Sequence, residues 1–581
     1  MDLSRPEFAV TVERDLPVKM RDGTVLRADV HRPDQADRFP VLVERTPYNK
    51  IESSETRFGA AEFYASRGYA CVFQDVRGRY ASDGEFYPFR DDGDGVNQDG
   101  YDTVEWAAEQ PWSNGNVGMI GGSYSGATQY RMLATRPPHL RAQFVRQSAA
   151  NYAQEWVYRS GAFELGFNMS WAVRHTASHA RRLAENGNQD QAEALLAEAV
   201  RNLPALMARL PVSPVKELKT YYPWFEDWLG HPDDGEYWDK WNNAHRHSRV
   251  NVPVYHLGGW FDGFLKGTLD NFNGMRANAS SDEVRTAQRL TVGPWVHAPN
   301  AADLTSCGEV EFGEAAAIGF FETRLRWFDH WLKGIDTGLL EEPPVRLFTM
   351  GTDQWRSFDE WPPLQAAMTP LYFRSEKSRS AGSLNDCSLS WSRPLAAEAP
   401  DLYEYDPLDP VPTTGGGHLG EQNGPRDQRR IESMVLSYTT PALEHPLDVT
   451  GRVVAILYAK TSAKDTDWIV KLSDVHPDGR SMLVCDGVIR ARYRKSRRKP
   501  ELLDGNTEKY EIDLWGTSHV FKRGHRVRVL VTSSDFPRWD RNMNTGGFNA
   551  REGSGVTALN TIFHDPQHPS HVLLPVIGRA G

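Results

Sequence analysis

The chain has 581 residues, 40% hydrophobic and 25% charged, the balance of a globular protein too long for one ordinary domain, so two or three are expected. A formal net charge of −11 is modest for that length, and acids and bases are interspersed; with no basic stripe, nucleic acid is excluded as the main partner. No run of 18 apolar residues occurs and residues 1–15 carry no apolar leader, so no membrane segment is expected and the default location is cytoplasmic. The four cysteines (Cys71, Cys307, Cys387, Cys485) are far apart and form no CxxC pair, which argues against a zinc site or a disulfide framework.

In chain order, residues 7–32 read as strands, with a hairpin turning at Arg21-Asp22-Gly23. Short apolar runs follow at 40–43, 69–73, 117–120 and 142–145. Between them lie helical patterns at 102–110 and 126–135, each stopped by proline. Strands and helices alternating through short connections predict a parallel sheet covered on both faces. Residues 150–245 turn helical, with Ala192, Leu195, Leu196, Ala199, Val200 and Leu203 on one predicted face. Apolar runs return at 252–257 and 289–292, and an amphipathic helix at 320–332 ends before Gly334. Beyond about residue 340 short alternating runs, beginning with 345–349, predict an all-β sandwich of the jelly-roll kind. The division expected is an α/β core at 1–149 and 246–340, a helical cap at 150–245 and the β-sandwich at 341–581.

The run ending at Ile120 leads into Gly121-Gly122-Ser123-Tyr124-Ser125-Gly126 and then a helix, the strand–turn–helix setting of a nucleophile elbow. The usual glycine stands at −2 from Ser123, but Ser125 holds +2, with Gly126 one place later; Ser125 is itself a rival nucleophile. The run 252–257 leads to Asp262, and the run 290–292 to His297. Serine, acid and histidine thus follow one another in α/β-hydrolase order, each just past a predicted strand.

The motifs Thr46-Pro47-Tyr48, Asp75-Val76-Arg77-Gly78, Gly121-Gly122-Ser123-Tyr124, Trp260-Phe261-Asp262-Gly263-Phe264 and Gly293-Pro294-Trp295-Val296-His297 resemble those of the cocaine esterase family, relatives of X-prolyl dipeptidyl peptidases and α-amino-acid ester hydrolases. The resemblance spans essentially the whole chain and implies three domains: an α/β-hydrolase core, an inserted helical cap and a C-terminal jelly roll of the galactose-binding-like kind. It implies an acyl-enzyme on Ser123, with His297 as general base, Asp262 as its orienting acid, and an oxyanion hole of the Tyr48 hydroxyl and the Tyr124 backbone N–H. It assigns Asp75 and Arg77 no chemistry, and they read as an ion pair or loop anchors.

In amino-acid ester hydrolases the same resemblance implies acids two and three residues after the triad aspartate. Here those positions are Phe264 and Leu265, which offer an ammonium group no counter-charge and suit an aryl or alkyl acyl group. Cap aromatics Phe167 and Trp171 are further candidate substrate contacts. The expected partner is therefore a small-molecule ester, with no cofactor and no metal, and homo-oligomerisation is left open. An amidase or peptidase of the same fold, such as a side-chain acylase or X-Pro dipeptidyl peptidase, is the alternative. A binding protein with an inactive hydrolase core, holding a carbohydrate or partner on the sandwich, is the alternative of another class.

Three clusters read as structural. The acidic loop 91–99 breaks EF-hand spacing at Val96 and is expected to be a solvated turn. His245-Arg246-His247 is expected in a surface loop, and the basic stretch 490–499 in a solvated loop or strand edge.

Overall fold

The computed structural model describes residues 3–177, 189–219, 223–420 and 422–578. Among them ten strands form a first sheet: β1 (Val10–Lys19), β2 (Val25–Pro33), β3 (Phe39–Thr46), β4 (Ala70–Asp75), β5 (Ser113–Met119), β6 (Leu140–Arg146), β7 (Val254–Phe261), β8 (Arg289–Val296), β9 (Val345–Thr349) and β10 (Gln354–Phe358). Their spatial order is β1-β2-β4-β3-β5-β6-β7-β8-β9-β10, parallel from β4 through β9. Every residue of β3, β4 and β7 is buried, as strands covered on both faces require. On one face Val104, Tyr130, Met132 and Met275 of the helices Asp99–Ala108, Tyr124–Leu133 and Leu265–Asn278 meet Val41, Val72 and Val117. On the other, Phe320, Trp327 and Phe328 of the helix Phe320–Lys333 pack on Leu42, Phe144 and Tyr255.

The run 345–349, expected to open the C-terminal sandwich, instead pairs with β8 and extends the first sheet. Its β-rich, alternating texture is the same in either sheet, so periodicity could not assign it. The true sandwich is an eleven-stranded β unit from Ala366–Lys377 to His571–Ile577. It is antiparallel except where Cys387–Ser390 runs alongside Leu436–Thr439, and it closes around Phe373, Leu457, Val470, Ile512 and Val529.

The block between β6 and β7 contains the helices Leu165–Ala177, Gln189–Arg201, Leu203–Ala208 and Trp224–Gly230. Its core is aromatic: Trp156, Trp171, Trp224, Trp228, Trp238 and Trp241 share one cluster. Leu196, Ala199 and Leu203 are buried as expected, but Leu195 is 41% exposed, so the apolar stripe is narrower than the sequence suggested. Ala192 lies outside the residues whose side chains are described.

The structural clusters are all more tightly engaged than expected. The acidic loop is not a solvated turn. Asp92 pairs with Arg45 at 2.6 Å, Asp94 with Arg246 at 3.0 Å and Asp99 with Arg77 at 2.6 Å, so arginines from three other segments neutralise it. His247 is buried against Asn271 at 3.0 Å rather than in a surface loop. Arg490 is buried between Asp467 (2.9 Å) and Asp540 (2.8 Å), while Arg497 donates to the Pro232 carbonyl and Arg498 pairs with Asp239. The basic stretch is thus a strap joining the β unit to the helical block. Asp75 and Arg77 do not pair with each other: Asp75 accepts from the Lys50 N–H at 2.8 Å, and Arg77 bridges Asp99 and Asp22. All four cysteines are buried free thiols. No helix among the described residues is long and apolar enough to cross a membrane.

Candidate active site

The candidate residues gather beyond the carboxyl ends of the parallel strands, where an open α/β sheet leaves its crevice. Tyr48 follows β3, Ser123 follows β5, Asp262 follows β7 and His297 follows β8. Ser123 holds φ 58° and ψ −122°, a backbone conformation costly for a side-chain-bearing residue and typical of functional turns. Its neighbours make the turn sterically feasible. Gly121 has φ 128°, and a Cβ there would lie 2.6 Å from the Ser125 Cβ; a Cβ on Gly126 would lie 2.8 Å from that of Ser148. The glycine displaced to +3 therefore meets the packing demand of the turn. Ser125 is buried and donates to Glu44 Oε1 at 2.9 Å, which turns it away from the crevice and removes it as a rival nucleophile.

His297 Nδ1 donates to Asp262 Oδ1 at 2.8 Å, which leaves Nε2 as the free base. Asp262 is fully buried and accepts a second bond at Oδ1 from the Phe264 N–H at 3.1 Å. Ser123 and His297 are partly exposed, so both reach the crevice, while the buried Asp262 lies behind them. The Tyr48 hydroxyl lies near the Ser123 side chain and the Tyr124 N–H, and receives the Trp171 indole N–H at 3.3 Å. Burial raises the Tyr48 phenol above its ordinary value of 10.0, so it stays a neutral donor. Tyr124 offers its backbone; its own hydroxyl is turned away and accepts from the Phe89 N–H at 2.8 Å.

Phe264 is buried, stacked on Trp156 at 4.6 Å, edge-on to Phe167 at 5.6 Å and edge-on to His297 at 5.1 Å. Trp171 stacks over the Tyr124 ring at 6.1 Å. Phe264, Phe167 and Trp171 thus form one continuous aromatic cluster reaching the base and the candidate oxyanion hole. Leu265 does not join it. It opens the next helix and turns the opposite way, into the cluster of Trp260, Phe261 and Leu269 beside the sheet.

Four features escaped the sequence reading. The carbonyls of Arg146 and Gln147 both accept the Ser123 N–H, at 3.0 and 3.2 Å. Their side chains reach the other way: Gln147 Nε2 donates to the Val296 carbonyl at 2.8 Å and Arg146 to that of Ala298 at 2.6 Å. The segment after β6 therefore sets the nucleophile relative to both neighbours of His297. His175 packs against Tyr48 at 4.8 Å, and burial pushes its imidazole down to about 3, so it is a neutral wall. Finally, the β unit reaches the site: a Cβ on Gly417 would lie 3.0 Å from the Asp262 carbonyl, and Leu419 packs on the aromatic cluster. The run Gly415-Gly416-Gly417 is the local mark of such a close approach, but nothing in it says to what.

Residues 22–299 match the model of the X-Pro dipeptidyl-peptidase (S15 family), and residues 337–573 that of the X-Pro dipeptidyl-peptidase C-terminal non-catalytic domain. The cocaine esterase of Rhodococcus sp. (strain MB1 Bresler) is 38% identical over 590 residues, covering 98% of this chain and 99% of its own. Among solved structures, an aminopeptidase from a marine sediment Thaumarchaeota archaeon superposes with a TM-score of 0.83 at 26% identity, covering 98% of this chain and 97% of that one. An α-amino acid ester hydrolase gives 0.80 at 25%, covering 99% and 98%. With both models matched in order and that identity held end to end, the chain belongs to the cocaine esterase and X-Pro dipeptidyl-peptidase-like family of α/β-hydrolases.

Proposed function

We propose that this chain hydrolyses carboxylic esters through an acyl-enzyme on Ser123. The observation that carries the reading is the 2.8 Å bond between His297 Nδ1 and Asp262 Oδ1, made beyond the same strand ends that present Ser123 and Tyr48. Ser123 Oγ attacks the acyl carbon as its proton passes to His297 Nε2, and Asp262 holds the resulting imidazolium. The oxyanion of the tetrahedral intermediate takes the Tyr48 O–H and Tyr124 N–H, helped by the amino end of the helix Tyr124–Leu133. Collapse breaks the bond to the alcohol oxygen, which leaves with the imidazolium proton. Water, deprotonated by His297, then releases the acid and restores Ser123.

The acyl group lies against Phe264, Phe167 and Trp171 in this reading, an apolar surface that favours uncharged aryl or alkyl acids over ammonium-bearing ones. A cytoplasmic setting belongs to it too, supported by four thiols that are buried and unpaired. A fluorophosphonate should label Ser123 in the folded protein and leave Ser123→Ala unmodified; an unlabelled wild type overturns the hydrolase mechanism and favours a binding protein. Amide cleavage is the second reading, favoured by the match to a dipeptidyl-peptidase model. Matched p-nitrophenyl esters and p-nitroanilides decide it, and a higher kcat/KM on the anilide reverses the preference.

A further inference from the structure

On the far side of Phe261 from the crevice, at the seam between the first sheet and the β unit, lies a cavity of about 210 Å³. Its wall carries Asp474, His476, His519 and His525. Asp474 is the penultimate residue of the strand Asp467–Val475, and His476 opens the turn that follows. Pairing of Val475 with Arg526 and of Asp474 with Val527 brings His525, 51 residues further on, beside the carboxylate. His519 arrives on the strand Glu508–Phe521, whose Ser518 and Val520 hydrogen-bond the backbone of Met350 just past β9. The four residues therefore meet through strand pairing within the β unit, on the side that meets the backbone just past β9.

The donor atoms converge. His525 Nδ1 lies 2.8 Å from Asp474 Oδ1, and His476 Nε2 lies 3.9 Å from Oδ2. The chosen donor atoms of Asp474, His476 and His525 all fall within 4.8 Å of one another. The His476 and His525 ring centroids are 4.5 Å apart, so both imidazoles pack on the same side of Asp474. His519 Nε2 sits 3.1 Å from Asp474 Oδ2, where it can hold the carboxylate in place, and its Nδ1 is buried with no hydrogen-bond partner. Burial adds to the case: Asp474 is 3% exposed and His525 8%.

We propose that Asp474, His476 and His525 form a binding site for a zinc-type divalent cation at this seam. Two imidazole nitrogens and one carboxylate oxygen are the donor set of such ions, at about 2.0–2.2 Å, whereas calcium and magnesium take oxygen ligands. To ligate, His525 presents its Nδ1 lone pair to the cation with the ring proton carried on Nε2. His519 supports the ligating carboxylate from behind, and the fourth position opens on the cavity. Because the cation clasps residues from two strand ends that only the folded chain brings together, its binding stabilises the folded β unit by mass action.

The test is a titration of chelator-treated, full-length protein with Zn²⁺, and with Co²⁺ for its visible ligand-field bands. One equivalent should bind with a Kd in the micromolar range or below. It should raise Tm and give the intense bands of a four-coordinate Co²⁺, while Ca²⁺ does neither. His476→Gln, at a half-exposed turn and so tolerant of change, should weaken Zn²⁺ binding at least 10-fold, and the double variant with His525→Gln at least 100-fold. Should the double variant fail to fold, His476→Gln alone decides. A wild type that takes up no Zn²⁺, or the same amount as His476→Gln, overturns the site. Labelling of Ser123 is independent of either result.

Discussion

The Phe264 ring stands edge-on to the His297 imidazole, centroids 5.1 Å apart and planes at 85°, while its face stacks on Trp156. One side chain thus touches both the candidate base and the aromatic cluster assigned to the acyl group. Phe264→Ala should lower kcat/KM for an aryl-acyl ester by about 10-fold, equivalent to about 1.4 kcal/mol, and for an acetyl ester by much less. Steady-state kinetics on p-nitrophenyl benzoate and acetate check this; equal losses on both mean that Phe264 serves the base alone.

Tyr48→Phe deletes one candidate oxyanion donor but keeps the ring packed on His175. Turnover should fall about 10²–10³-fold with KM little changed, because the bond strengthens only as charge develops on the acyl oxygen. A KM effect without a kcat effect would place Tyr48 in ground-state binding instead.

Burial raises the Tyr48 phenol above 10.0, and only the neutral phenol donates. The sign follows: ionisation, when it comes, removes the donor, and it comes later than in a free tyrosine. The alkaline limb of kcat should therefore have its midpoint above pH 10 on a substrate stable there. A fall with a midpoint below 10 speaks against the assignment.

Beneath the nucleophile, Glu44 accepts Ser125 Oγ at 2.9 Å and Ser53 Oγ at 2.7 Å. Burial, with Glu55 beside it, raises the Glu44 carboxyl well above its ordinary 4.5. A raised carboxyl contributes stability that is fully present below its ordinary value and is lost as pH climbs toward the raised one. Between pH 5 and 8 the urea midpoint of the wild type should fall more than that of Glu44→Gln, which cannot ionise. Parallel curves for the two proteins would show that Glu44 carries no such linkage.

Within the basic strap, position decides energetic weight. Arg490→Ala strands the buried Asp467 and Asp540 and should cost about 3–5 kcal/mol. Arg498→Ala removes an exposed pair with Asp239 and should cost under about 1 kcal/mol. Denaturant unfolding of both variants separates the two.

Much of this protein was legible along the chain. Unbroken apolar runs located the buried parallel strands, and Ser123, Asp262, His297 and Tyr48 were each marked by standing just past one. Burial on two faces leaves that signature in consecutive residues, so no distant partner is needed to see it. What the sequence left undecided depends on residues far apart meeting. Ser125 looked like a rival nucleophile until Glu44, 81 positions earlier, was found holding its hydroxyl inward. Leu265 shared an apolar character with Phe264, yet the first turn of a helix sends neighbouring side chains in different directions. The acidic loop and the basic strap read as solvated because charge patterning reports composition, not partners, and their partners come from other segments. The run 345–349 alternates like any half-buried strand, and only pairing with β8 placed it in the first sheet. Asp474, His476 and His525 follow the same logic: their spacing carries no metal motif, and strand pairing alone makes them neighbours. Periodicity determined where chain is buried; tertiary docking decided what each buried charge, hydroxyl and imidazole faces.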